Sequence, residues 1–276
     1  GGHSVILPDG EIVTFPIPSN EDNRYYLDLH TSSGKPIMEI FKKINLKYAR
    51  QINDTDKCHL DPDINYNSVK RLDGWRGSFG QDMQAAKLLE RHGIEEGDVF
   101  LFFGFFKRVN EDNEIYKFDN QEKHVIFGYL VVKERIDYPN DTDKEIYEWL
   151  KDHPHIEKVN SNKEHKINNH IYIAKEKITI DGKNYKGYGM FNYGKNPNNK
   201  DLDLTKLGMT KSKWDLPAIF KNVEIAYHRD KSKSWKKDPD YFQSVSRGQE
   251  FVVINENSEI TEWAEKIIKK YGEEYH

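Results

Sequence analysis

Gly97-Asp98-Val99-Phe100-Leu101-Phe102-Phe103-Gly104-Phe105-Phe106 sets an almost unbroken apolar, mostly aromatic run in a chain of 276 residues that is 32% charged and 36% hydrophobic. A run of this length behind a Gly-Asp turn reads as one strand, and its rings alternate onto both faces. Two explanations stay open. Either both faces are buried in a small barrel or sandwich, or some of the rings form a platform on which a ligand stacks.

Working outward, the charged stretch Asn110 to Lys123 reads as a polar loop, followed by a second run apolar on both faces, His124 to Val132. Two such strands joined by a loop predict an antiparallel pair at the centre of a sheet. Upstream, the first fifty residues read as loops and short strands, and Gln81 to His92 as a short helix that Gly93 ends. Downstream, Asp141-Thr142-Asp143-Lys144-Glu145 offers a capping box for a helix through Leu150, which ends before His153-Pro154-His155. Strands are predicted at Ile171 to Ala174, at Lys177 to Ile180 turning through Asp181-Gly182, at Val223 to His228 and at Glu250 to Ile254. A final helix runs from about Ile260 to Tyr271, with Trp263, Ile267 and Tyr271 on one face. The expected fold class is α+β, a mainly antiparallel β barrel or sheet with a few peripheral helices.

The core is expected to be aromatic, since 16 Tyr, 14 Phe and 5 Trp bury large areas per residue. A formal charge of −4 excludes a generally basic protein that coats nucleic acid, so any such contact needs a local patch. The single cysteine, Cys58, excludes an internal disulfide and a cysteine-built zinc site, and fits the reducing cytoplasm. No apolar run of membrane-spanning length is present. The P-loop, the dinucleotide glycine fingerprint, the Gly-x-Ser-x-Gly elbow and the zinc-deaminase signature are all missing.

Gly97-Asp98 before an apolar strand, then Phe127-Gly128-Tyr129-Leu130-Val131-Val132, resembles the core of the PUA-like barrels, the group of ASCH, EVE and YTH domains. Across nearly the whole chain, further segments add to this: Cys58-His59-Leu60-Asp61-Pro62-Asp63, Gly74-Trp75-Arg76, Phe79-Gly80-Gln81, His153-Pro154-His155 and Arg247-Gly248-Gln249-Glu250-Phe251-Val252. Together they resemble the nucleotide modification associated domain 3 family. The resemblance implies one domain over residues 1–276 with a PUA-like core at about 93–255, and a short strand ahead of Gly1 that this chain lacks. It also implies a role in nucleic-acid base modification in the conflict between phages and bacteria, with no settled reaction.

His59-x-Asp61-x-Asp63 places three side chains on one face of an extended segment, with Cys58 and Leu60 on the other. That set suits a divalent metal ion, with His59, Asp61 and Asp63 as ligands, or an acid/base pair working on a nucleotide. The competing reading is a polar turn in which Asp61 caps its own backbone. Trp75 and Arg76, with Arg71 nearby, suit base stacking and phosphate pairing, and Gln81 opens a helix whose first N–H groups suit a phosphate. Arg247, Gln249 and Glu250 precede an apolar strand, with Glu250 as a candidate catalytic base and Arg247 as an anion clamp. His153, His155 and His170 tempt a metal reading, but no Cys or acidic partner lies at ligand spacing, so His153-Pro154-His155 reads as a turn after a helix.

Two functions follow. One is a binding protein that recognises a modified base or nucleotide in a pocket lined by Trp75, so that Trp75→Ala abolishes binding without unfolding the chain. The other is a metal-assisted enzyme of nucleotide or base modification using His59, Asp61, Asp63 and Glu250. The expected partner is a nucleotide or nucleic acid, modified DNA included, and no membrane.

Overall fold

The computed structural model describes residues 4–44, 52–141, 147–161, 168–194, 200–228, 230–245, 251–254 and 258–275. Short elements come first: β1 (Ser4–Ile6), β2 (Ile12–Val13), β3 (Ile17–Pro18), α1 (Ile37–Lys43), β4 (Cys58–His59), β5 (Ser78–Asp82) and α2 (Met83–Arg91). Two long strands follow, β6 (Val99–Asp112) and β7 (Ile115–Asp137). After α3 (Pro154–Ser161) come β8 (Asn169–Ala174), β9 (Lys177–Ile180), β10 (Lys183–Lys186), β11 (Tyr188–Met190), β12 (Lys213–Trp214) and β13 (Glu224–Ile225). The chain closes with α4 (Lys231–Ser234), β14 (Trp235–Lys237), β15 (Asp240–Gln243), β16 (Val253–Ile254) and α5 (Ser258–Tyr271). The fold is therefore α+β.

Its main sheet runs β2-β1-β6-β7-β8-β5, with β11 also paired to β7. The sheet is mixed, because β1 lies parallel to β6 while the other neighbours are antiparallel. The aromatic run is β6, and its rings are packed. Phe102 and Phe106 are buried, and Phe79 of β5 sets its ring between Phe100 and Phe102, at centroid distances of 5.2 and 5.0 Å. Phe103 packs edge-on to Trp214 at 5.1 Å and stacks on Phe251 at 5.6 Å. Core packing thus accounts for Phe100, Phe102, Phe103 and Phe106, while Phe105 is half-buried under Lys211, whose Nζ lies 4.0 Å from its ring. Gly128 of β7 belongs to the same packing, since a Cβ there would lie 2.4 Å from Ile64 Cδ1 and 2.7 Å from the Gly189 carbonyl of β11.

Asn110 to Lys123 differs from the loop expected. β6 and β7 stay paired to Asp112↔Ile115 and turn through Asn113 and Glu114, both at positive φ, as a two-residue hairpin turn requires. The reason is a second core: Val109 and Tyr116 bury their side chains beside Ile40, Phe41 and Ile44 of α1 and its flank. The helix α1 forms in a stretch expected to be loops and short strands, and Ile37, Ile40 and Phe41 have helical spacing.

Gln81 and Asp82, expected to open the helix, instead end β5 (Ser78–Asp82). That strand pairs with β8 from Ser78↔Ile173 to Asp82↔Asn169, and the helix begins only at Met83. Gly93 ends that helix as expected, at φ 64°. The capping-box residues 142–146 lie outside the described residues, and what precedes Leu150 is one 3-10 turn, Glu148–Leu150. Of the strand expected over 223–228, Glu224–Ile225 forms. Among the described residues, no helix is long and apolar enough to cross a membrane.

Candidate functional site

His153-Pro154-His155 opens a helix and does not trail one. Pro154 is the first helical residue, where a missing N–H costs nothing. His153 stands where Ser or Asp usually caps: its Nδ1 accepts the backbone N–H of His155 at 3.2 Å. The helix packs over a small apolar cluster of Ile136, Leu150, Ile156, Ile171 and Ile173, which fixes His155 against the β5–β8 edge of the sheet.

That edge also receives the His59-x-Asp61-x-Asp63 segment. Asp63 and Ser78 exchange backbone N–H···O bonds of 2.9 Å, so the segment runs alongside β5. This register lets the Gly80 N–H donate to Asp61 Oδ1 at 2.9 Å. His59 pairs with Ile17 of β3 and projects opposite to the fully buried Cys58. Its Nδ1 meets Asp22 Oδ2 at 3.0 Å. Asp22 comes from a loop bolted to α3 by Asn23, which donates its backbone and side-chain N–H groups to the Glu157 carboxylate at 3.1 and 2.8 Å.

Three segments therefore meet around one carboxylate. His155 Nε2 lies 3.7 Å from Asp61 Oδ2, and His153 Nε2 lies 3.6 Å from Oδ1. The His59 and His155 rings are 5.7 Å apart. One donor atom each from His59, Asp61 and His155 falls within 4.8 Å of the other two, close enough to hold one cation after a small contraction. The side chains of Asp61 and His155 are 7% exposed and that of His59 is 24% exposed, so solvent reaches the cluster past His59.

Electrostatics assign these groups different states. Burial works against the charge of Asp61, but the imidazoles of His153, His155 and His59 around it prevail and hold its pKa below the ordinary value. Burial also opposes charge on His59, yet the Asp22 hydrogen bond and the Asp61 field raise its pKa above the usual imidazole value. In His155 burial wins, helped by its histidine neighbours, and its pKa is lowered. Asp22 stays below the ordinary range despite burial, through His59 and Ser19.

Asp63 does not join His59 and Asp61. Its carboxylate forms a bidentate pair with Arg71, at 2.7 and 2.6 Å. Arg71 also donates to the Asn65 carbonyl and to Ser68 Oγ, and lies over the Trp75 ring at 3.7 Å. Trp75 is buried between Tyr66 and Tyr188, with its face covered by Arg71. Arg76 is half-buried beside it, and Gln81 sits in β5 opposite His170, not at a helix start. His170 faces away from the cluster, with Nδ1 2.6 Å from Asp137 Oδ1. Arg247, Gln249 and Glu250 lie outside the described residues.

Sequence reasoning missed His155, His153, Asp22, Asn169 and Gly80 as members of this site. The one available signal was His153-Pro154-His155 itself, whose acidic partner, Asp61, stands far upstream and comes close only through the sheet. No curated protein and no solved structure matches the chain. The family model described as nucleotide modification associated domain 3 matches residues 1–254, and the chain belongs to that family.

Proposed function

We propose that the protein is an enzyme of nucleotide or base modification whose reaction takes place at the Asp61 centre, with a nucleotide or nucleic acid as substrate. The observation that carries this reading is the convergence of His59, Asp61, His153 and His155, from segments far apart in the chain, around one charged and buried carboxylate. Groups whose pKa values are pushed in opposite directions at a solvent-reached point mark a functional site. His59 stands at the mouth of the cluster, nearest to an arriving substrate, and Asp22 fixes its ring. The family name supplies the substrate class.

The reader alternative draws less support. Stacking a base on Trp75 would require Arg71 to leave both the ring and the Asp63 carboxylate. A PUA-like core around the β6–β7 pair, within a single domain working in the cytoplasm, is part of the same proposal. The buried thiol of Cys58 fits a reducing compartment.

The test is product formation. The protein is incubated with nucleosides, nucleotides and single- and double-stranded DNA and RNA, with added Mg²⁺, Mn²⁺, Fe²⁺ or Zn²⁺, and products are read by mass spectrometry. A mass-shifted base or nucleotide with wild type, reduced at least about 100-fold in a folded Asp61→Asn variant, is expected. Tight binding of a modified base by both proteins without any product would replace the enzyme with a reader.

A further inference from the structure

We propose that His59, Asp61 and His155 form a transition-metal site of the two-histidine, one-carboxylate kind. This deepens the enzyme reading by assigning the Asp61 centre its cofactor class. It replaces Asp63, expected as the third ligand, with His155.

Proton positions decide which atoms can bind an ion. The Asn169 amide nitrogen donates to the carbonyls of Tyr138 and His155, both at 3.1 Å, so its oxygen is the acceptor left for His155 Nδ1–H at 2.7 Å. His155 Nε2 therefore presents a lone pair, and it faces Asp61 Oδ2 at 3.7 Å. Two acceptors face each other there with no hydrogen between them. His59 repeats the pattern, with Nδ1 held by Asp22 and Nε2 left as its donor atom. Both imidazoles carry the outer partner that metal-bound histidines use to fix ring and tautomer.

Distance agrees. Two donors each about 2.1 Å from a common ion stand roughly 3.4 to 3.7 Å apart at angles of about 110 to 120°. The 3.7 Å between His155 Nε2 and Asp61 Oδ2 is too long for a hydrogen bond and matches that separation. The 4.8 Å spread of all three donors needs only a small contraction.

His153 has a different part. Its Nδ1 accepts the His155 N–H, so in the neutral ring the proton sits on Nε2, a buried atom with no hydrogen-bond partner within 3.5 Å among the described residues, 3.6 Å from Asp61 Oδ1. Oδ1 thus faces two donors, the Gly80 N–H and His153, and Oδ2 is left to bind an ion through one oxygen. His153 is a positioning residue. Gly80 completes the cradle, because any Cβ there would occupy the space of the His155 ring.

Donor chemistry names the class. Two imidazoles and one carboxylate suit Fe²⁺, Mn²⁺, Co²⁺ or Zn²⁺, whereas Mg²⁺ and Ca²⁺ prefer oxygen donors throughout. Three protein ligands leave positions open for water or substrate, on the side where His59 meets solvent.

The full chain is stripped with chelator and titrated with Co²⁺, followed by its visible absorption, and with Fe²⁺, Mn²⁺, Zn²⁺ and Mg²⁺ by calorimetry, anaerobically for Fe²⁺. One equivalent of transition metal is expected. Affinity should fall at least about 100-fold in Asp61→Asn and His155→Gln, and about 10- to 100-fold in His153→Asn, which keeps a helix-capping acceptor. His170→Gln, an imidazole outside the cluster, should bind as wild type does. If Asp61→Asn does not fold, His155→Gln and His59→Gln decide the question by the same loss. Binding of Mg²⁺ alone, undiminished Co²⁺ binding in folded ligand variants, or no binding at all would each overturn the site. Product formation without bound metal would do so while leaving the enzyme reading intact, and a bound metal without product on any nucleotide would do the reverse.

Discussion

A Cβ on Gly80 would lie 2.2 Å from Cδ2 and 2.4 Å from Cγ of His155, so the ring of one residue occupies the side-chain space of the other. The same glycine donates its N–H to Asp61. Strand β5 therefore sets both partners of the cluster through one residue without a side chain. Gly80→Ala should displace His155 and cost about 1 to 3 kcal/mol, the usual range for forcing atoms into a packed site. Urea unfolding measures the stability loss, and metal titration should show the site lost in protein that remains folded.

Arg71 and Asp63 form a nearly buried pair, 5% and 13% exposed, and Arg71 also seals the face of Trp75. Removing one member of such a pair strands the other charge. Arg71→Ala is expected to destabilise by about 3 to 5 kcal/mol in chemical denaturation. Trp75→Ala should lose a similar amount, about 3 to 5 kcal/mol, as a core truncation. A Trp75→Ala protein as stable as wild type would return that ring to the list of ligand contacts.

Cys58 is fully buried, and burial with Asp22 nearby pushes its thiol up to about 12. Ellman's reagent at pH 8 should label the native protein at least about 100-fold more slowly than a free thiol, and should label it fully in denaturant. Rapid native labelling would mean that the face of β4 opposite His59 opens to solvent.

His124 accepts the Trp214 indole N–H through Nδ1 at 3.0 Å, and burial, with Lys211 close by, lowers its pKa from 6.5 to about 4. The unfolded chain thus binds more protons than the folded one between these two values. Stability from this group is complete above about pH 6.5 and is lost as the pH falls toward 4. His124→Asn keeps an acceptor for Trp214 and removes the titration. The Tm advantage of wild type at pH 7.5 should shrink as the pH is lowered to 4, and a constant gap would show that another group titrates.

Local periodicity made the strands legible. β6, β7, β8 and the β9–β10 hairpin, with α5, follow from side chains that alternate or recur every three to four residues, a property of the segment alone. The hairpin tip differs from the expected loop because its charged residues hide Val109 and Tyr116, whose burial depends on α1 packing against them. Gln81 and Asp82 differ from the expected helix for a related reason. Pairing with β8 holds them as strand up to the residue before α2, and no local signal announces a partner so far along the chain.

By itself the sequence determined that an aromatic strand pair would organise the fold, and that His59 and Asp61 would share a face, because both are set by the two-residue period of an extended chain. Which groups meet them was decided by the tertiary structure alone. His155 reaches Asp61 through the packing of α3 on the sheet edge, and Asp63 pairs with Arg71 and does not join them. Lone-pair directions in the cluster depend on Asn169, Asp22 and the Gly80 N–H, which come from other strands and loops. A hydrogen bond is short-ranged and directional, so its geometry exists only once those segments have been brought together.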